Sequence, residues 1–200
     1  LNHRYEGDPK RMYDFMDEFD VHCPKCDDEA IITVPLYFKY TEAELKCKHC
    51  FFSEKAKSRE RYRATSKARC KECREFLVIN IEERKEIPAY VNIVCEHCRT
   101  VNKVQENWES YLMKYSEEGI IDPAFGLTFR YQENVKDEIL WAFNKAYLKE
   151  IKNYVASELR ERTTDRFKMT MVEKLPNFIK SAKNREEVLK AIEKMESKKK

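Results

Sequence analysis

Apolar and polar positions alternate or recur along this chain in patches that change period several times. Met12, Phe15, Met16 and Phe19 recur at helical spacing behind Asp8-Pro9, which offers an N-cap and an N1 proline; a short helix is expected there. Ala30-Ile31-Ile32-Thr33-Val34 is short and β-branched, and Pro35 separates it from a second strand ending in Leu45-Lys46-Cys47. Phe76 to Ile81 reads as a buried strand, and a charged turn at residues 82–86 leads into a partner strand over Tyr90 to Cys95. Residues 51–69 lack such an apolar pattern. Trp108, Tyr111, Leu112 and Tyr115 return to helical spacing, so residues 103–118 are expected to form another short helix.

The last third is patterned most clearly. Leu127 to Tyr131 and Ile139 to Phe143 predict two strands around a polar turn. Asn144 then caps a helix whose apolar stripe is Tyr147, Leu148, Ile151, Tyr154, Val155 and Leu159. Met169, Met171, Val172, Leu175, Phe178 and Ile179 predict a further helix interrupted near Pro176. Asn184 and Glu187 have capping-box spacing before a final helix bearing Val188, Leu189, Ile192 and Met195. The class expected is α+β, small and metal-stabilised: two tandem zinc ribbons followed by a β-hairpin and C-terminal helices. The division expected is 1–52 for an N-terminal helix and first ribbon, 53–104 for a basic strip and second ribbon, and 105–200 for the hairpin and helices.

The metal enters through the cysteines. All eight fall in Cys-x-x-Cys pairs, Cys23/Cys26, Cys47/Cys50, Cys70/Cys73 and Cys95/Cys98, with 20, 19 and 21 residues between successive pairs. Two residues between cysteines let one turn aim both thiolates at a single point, and two such knuckles complete a closed tetrahedral site. Disulfide, thioredoxin-like and iron–sulfur readings fit the four regular doublets less well. Two structural Zn2+ ions are therefore expected, with no open position for chemistry. The near-equal intervals leave the partner choice to the flanking strands, which favour sequential pairing over an interleaved cross-brace. His49 and His97 lie inside knuckles that already supply four thiolates, so both are expected at solvent-facing turn positions.

Charge changes the picture locally. The net charge of +3 exerts no global pull on nucleic acid, but residues 54–69 carry seven basic and two acidic side chains. Residues 1–30 lean acidic and 160–200 basic. Lys55, Lys57, Arg59, Arg61 and Arg63 recur every second residue, so an extended chain would align them on one side to track phosphates. Tyr62 could stack a base from the other face; Lys67 and Arg69 extend the strip, and Lys71 and Arg74 are candidates to continue it. The rival reading is a solvated strand or linker whose charges only keep it unpaired. Tyr37, Phe38 and Tyr40 are expected to pack on their own ribbon.

Several classes fall away. With 38% charged residues and three glycines, the chain has no apolar run of membrane-spanning length and no signal peptide in view. Reduced cysteines argue for the cytoplasm. There is no phosphate loop, Gly-x-Ser-x-Gly elbow or His-Glu-x-x-His helix, so no enzyme and no small-molecule substrate are expected. The partners expected are nucleic acid, DNA or RNA, or else a protein assembly such as polymerase or ribosome to which the chain docks as an adaptor.

Leu140-Trp141-Ala142-Phe143-Asn144, the helix through Leu159-Arg160-Glu161-Arg162, and the run from Leu175 to Glu187 (Leu-Pro-Asn-Phe-Ile-Lys-Ser-Ala-Lys-Asn-Arg-Glu-Glu) resemble a bacterial family of transcription-factor-IIB-type zinc-ribbon-containing proteins. The resemblance covers most of the chain and is more specific in its C-terminal half. It implies a bacterial, cytosolic zinc-ribbon protein with a helical tail, and it implies no activity.

Overall fold

The computed structural model describes residues 5, 10–35, 38–157 and 170–197. Asp8, Pro9, Tyr37, Leu159 and Met169, invoked above, lie outside them. The fold is mixed α and β with antiparallel sheets, and it divides into two units: Leu1–Ala56 with Lys114–Lys200, and Lys57–Met113. Residues 114–200 thus share a unit with the first 56 residues.

In the first unit, β1 (Glu18–His22), β2 (Glu29–Thr33), β3 (Glu44–Cys47) and β4 (Ser53–Lys55) form one antiparallel sheet in chain order. Alternation along these strands buries Phe19 and Val21, Ala30 and Ile32, and Leu45 and Cys47 on one face. The helix expected around Met12 shrinks to a 3-10 turn over Met12–Phe15. Phe19 belongs instead to β1, because the Phe19/Val21 alternation gains a ladder with β2 that a helix would forgo.

On that buried face pack Phe129 and Phe143, whose ring centroids lie 5.9 and 5.8 Å from that of Phe19. Main-chain bonds from Asp20 N–H to Phe143 O and from His22 N–H to Thr128 O fix the two segments together. β10 (Tyr131–Val135) and β11 (Glu138–Ala142) pair antiparallel around Lys136-Asp137. The first of these begins where the expected strand 127–131 ends. Residues 122–127 are instead a turn in which the buried Asp122 carboxylate accepts the Ala124, Phe125 and Leu127 N–H groups. Gly126 has φ +71° there, and a Cβ would meet Ser116 O at 2.2 Å, so only glycine fits.

The helix α1 (Lys145–Ala156) forms as its stripe predicts, burying Tyr147, Leu148, Ile151, Tyr154 and Val155. Asn144 caps it through Tyr147 N–H, and its Nδ2 donates to Phe15 O and Glu18 O, binding the helix start to the N-terminal turn. Pro176 separates α2 (Met171–Lys174) from α3 (Asn177–Lys180), as expected. The reciprocal capping box belongs to Thr170 and Glu173, not to Asn184 and Glu187. Lys136 engages both of the latter, holding α4 (Arg185–Ser197) against the β10–β11 turn. No helix among the described residues is long and apolar enough to cross a membrane.

In the second unit, β5 (Glu60–Arg69) pairs with β6 (Phe76–Arg84) on one side and β9 (Glu109–Leu112) on the other. β7 (Val91–Val94) pairs with β8 (Val101–Val104). Residues 103–118 therefore hold strands, not the expected helix: Tyr111 and Leu112 take up a ladder with Arg61 and Glu60. Nor do β6 and β7 form the expected ladder with each other. Each strand instead pairs across its own knuckle, β6 with β5 and β7 with β8, and β5 arises from the stretch that lacked an apolar pattern. The core here is small. Cys70, Leu77 and Cys95 are its buried centre, with Ala68, Cys73, Ile93 and Cys98 packed on them.

Candidate metal centres and the basic face

Every knuckle is built the same way. The first cysteine's N–H closes on the carbonyl five residues on: Cys23 on Asp28, Cys47 on Phe52, Cys70 on Glu75 and Cys95 on Thr100. The residue after the second cysteine takes a left-handed conformation, with φ of 60° at Asp27, 58° at Phe51, 64° at Arg74 and 64° at Arg99. None is glycine, so each knuckle holds a conformation that costs an L-residue about 1 kcal/mol.

These turns gather Cys23, Cys26, Cys47 and Cys50 into one group and Cys70, Cys73, Cys95 and Cys98 into another, with all Sγ atoms of a group within 4.8 Å of one another. The pairing is sequential. Cross-knuckle Sγ–Sγ distances are 3.6 Å for Cys23–Cys50, Cys26–Cys47, Cys70–Cys98 and Cys73–Cys95. A tetrahedral site with Zn–S bonds of about 2.3 Å requires edges of about 3.8 Å. Both groups suit a zinc ion, and four thiolates leave no coordination position open. All eight cysteines are free thiols. His49 and His97 lie outside both groups and are exposed.

The knuckle amides favour the thiolate at Cys70 and Cys47, whereas burial and the neighbouring thiols push Cys26 and Cys73 up to about 12. The Cys73 N–H, with help from Glu72 N–H and the Asn102 amide, holds the Cys70 thiol down at about 6. At Cys47 burial acts upward, but the Cys50 and His49 N–H groups outweigh it and bring the thiol to about 7.

Asn102 is the site residue that spacing did not reveal. It is buried; its Oδ1 accepts Lys71 N–H at 2.9 Å, and its Nδ2 donates to Cys70 Sγ at 3.5 Å and Thr100 O at 3.0 Å. It thus ties the third knuckle to the strand leaving the fourth. The first knuckle carries Pro24 where the third carries Lys71, so it has no N–H there to satisfy. The sequence carries no sharper signal than that difference, which Lys48 and Glu96 of the second and fourth knuckles share with Lys71.

The basic strip is not one row. Lys55 ends β4, Lys57 and Arg59 lie in a 3-10 turn over Ala56–Arg59, and only from residue 60 does the chain run extended. Most of its cations are engaged within their own unit. Lys57 pairs with Glu60, and Arg59 Nε donates to Met113 O. Arg61, with 11% side-chain exposure, donates to Ser58 O and Glu60 O beside Glu83. Arg63 makes two bonds to Glu109, whose carboxyl it holds below the ordinary glutamate value. Tyr62 donates its hydroxyl to Glu60. Lys67 and Arg69 are different: they stand exposed on the outer face of β5, in register with Val78 and Phe76 on β6. The Arg69 guanidinium lies 4.0 Å over the Phe76 ring centroid and donates to Arg74 O. Phe38 packs edge-on to Tyr13 and Tyr40, as expected of aromatics covering their own ribbon.

Comparison of the chain with protein-family models, with curated proteins and with solved structures found no match.

Proposed function

We propose that this chain is a nucleic-acid-binding protein of the zinc-ribbon type, with two tandem cysteine ribbons serving as scaffold and the outer face of β5 and β6 as the binding surface. The observation that carries this reading is the Arg69–Phe76 pair, in which a cation sits on a ring 61% exposed to solvent, with Lys67 alongside. An exposed aromatic offers a stacking platform to an unpaired base, and flanking cations offer sequence-independent affinity for phosphate; the combination suits a single strand. The interface proposed is therefore Lys67, Arg69, Arg74 and Phe76. Lys57, Arg59, Arg61 and Arg63 support the sheet through their own partners. The resemblance to bacterial zinc-ribbon proteins fits this reading, and thiolate sites fit a reducing compartment such as the cytoplasm.

Fluorescence anisotropy with a labelled single-stranded oligonucleotide tests it. Changing Lys67, Arg69 and Arg74 to Ser should flatten the log–log salt dependence by about two, at about 0.7 for each phosphate no longer neutralised. Phe76→Ala should cost about 1–3 kcal/mol of binding. Changing Lys57, Arg59, Arg61 and Arg63 to Ser should leave the salt slope unchanged. An unchanged slope in the first variant refutes the assignment. The rival adaptor reading draws on a different feature, the 85% exposed Phe51 at the second knuckle, and predicts partners that survive nuclease treatment.

A further inference from the structure

The two cysteine units repeat one another, and they differ at one seam. Aligned on their cysteines, Glu29, Ile31 and Thr33 of β2 correspond to Phe76, Val78 and Asn80 of β6, and Lys46 of β3 corresponds to Val94 of β7. In the first unit these strands zip together: Ile31 faces Lys46 and Thr33 faces Glu44 in an antiparallel ladder. In the second unit β6 and β7 belong to separate sheets. Where the first unit has its ladder, the second has a cleft of about 310 Å3 bounded by residues 75–78 and 93–97.

The hydrogen-bonding edge of β6 points into this seam. Cys70 N–H bonds Glu75 O, so strict alternation along the ladder turns the main-chain groups of Leu77 and Ile79 toward β5. Those of Phe76, Val78 and Asn80 then face away from β5, toward the seam. The Cys95 N–H to Thr100 O bond sets the same alternation on β7, leaving Asn92 and Val94 to the seam from the other side. The side chains there are apolar and in water: Phe76 is 61% exposed, Val78 69% and Val94 53%. An unpaired strand edge flanked by exposed apolar residues is a template for a further strand.

We infer that this seam is a strand-acceptor site for an extended peptide in which apolar and basic residues alternate. The peptide pairs with the main-chain groups of Phe76, Val78 and Asn80 and seats an apolar side chain in the cleft against Val94. Its basic residues are specified by the rim, where Glu75 and Glu96 are the formally charged side chains lining the cleft, with no Lys or Arg among the described lining residues. A second copy of this chain is a poorer occupant, because its own β6 edge would bring another Glu75 to an acidic rim. The site shares Phe76 with the proposed nucleic-acid face, pairing through its main-chain groups rather than stacking on its ring, and it does not require Lys67, Arg69 or Arg74.

The test uses the zinc-loaded full chain and the capped peptide Lys-Val-Lys-Val-Lys-Val-Lys, with binding followed by calorimetry and by amide hydrogen exchange. Binding is expected to slow exchange at Val78 and Asn80. A peptide N-methylated at alternate residues, and one with Glu in place of Lys, should each bind about tenfold more weakly or worse, the scale of one or two lost hydrogen bonds. Val78→Pro removes a seam-facing N–H without breaking the β5 ladder and should abolish binding with zinc retained. Val94→Lys places in the second unit the residue type the first unit carries, and it should also abolish binding; it serves if the proline variant loses its metal. Equal binding by the N-methylated or acidic peptide, or by Val94→Lys, overturns the proposal. So does slow exchange at Val78 and Asn80 in the free chain, which would mean a closed seam, or a mass showing copies paired through it.

Discussion

Replacing Asn102 by Ala isolates what an amide bonded to a ligand sulfur does for one metal site, while leaving the other site as an internal reference. The side chain bonds three groups in a buried position: Lys71 N–H, Thr100 O and Cys70 Sγ. Each neutral bond contributes about 1 kcal/mol net, and stranding the part-buried donor Lys71 N–H costs up to about 1–3 kcal/mol more. The summed loss is about 4–6 kcal/mol if nothing relaxes, and about 3 kcal/mol if water reaches Lys71 N–H. Loss of an outer partner of a ligand weakens metal binding by about 10–100-fold, or about 1.4–2.8 kcal/mol, which lies close to the relaxed figure. Competition with a chromophoric chelator, read alongside native mass, should therefore show two zinc ions leaving the wild-type chain in overlapping steps. In Asn102→Ala one ion should leave at chelator concentrations about 10–100-fold lower. Cysteine alkylation mapped by mass should assign the early loss to Cys70, Cys73, Cys95 and Cys98. Simultaneous loss of both ions, or early alkylation at Cys23, Cys26, Cys47 and Cys50, would refute the reasoning.

Complete removal of zinc should act unequally on the two units. The second unit has a small core in which Cys70 and Cys95 are buried with Leu77, Ile79 and Ala64, so β5 to β9 should lose hydrogen-exchange protection, whereas α1, α4 and β10–β11 should retain theirs. Asp122→Ala strands three buried N–H donors and should cost about 3 kcal/mol or more in chemical denaturation, with no change in zinc count. Phe51→Gly relieves a left-handed φ of 58° at a side chain 85% exposed, and should stabilise the first unit by about 0.5–1 kcal/mol. Acidification should release zinc, because the metal binds thiolate and each proton competes for sulfur; zinc retention should therefore fall as pH falls.

Much of this protein is legible in its sequence where the physics is local. A Cys-x-x-Cys turn carries its own geometry, so eight cysteines in four doublets announce two closed four-thiolate groups before any fold is known. The helix α1 is equally local: Asn144 supplies the cap and the stripe from Tyr147 to Val155 supplies the buried face. Partnering is different, because a strand is defined by what lies beside it. Phe19 and Tyr111 sit at spacings that suit a helix and become strand residues because β2 and β5 offer ladders. The basic run reads as one row of cations, and tertiary structure breaks it with a 3-10 turn and supplies Glu60, Glu83, Glu109 and Met113 O as partners. Lys71 in place of Pro24 hinted at an unmet donor, but only the packed knuckles reveal Asn102 as its acceptor. The open seam was invisible for the same reason. Two units whose cysteine spacing differs by a single residue, 20 against 21 between pairs, carry nearly the same local instructions, and whether β6 meets β7 is decided by long-range pairing that no short window of sequence contains.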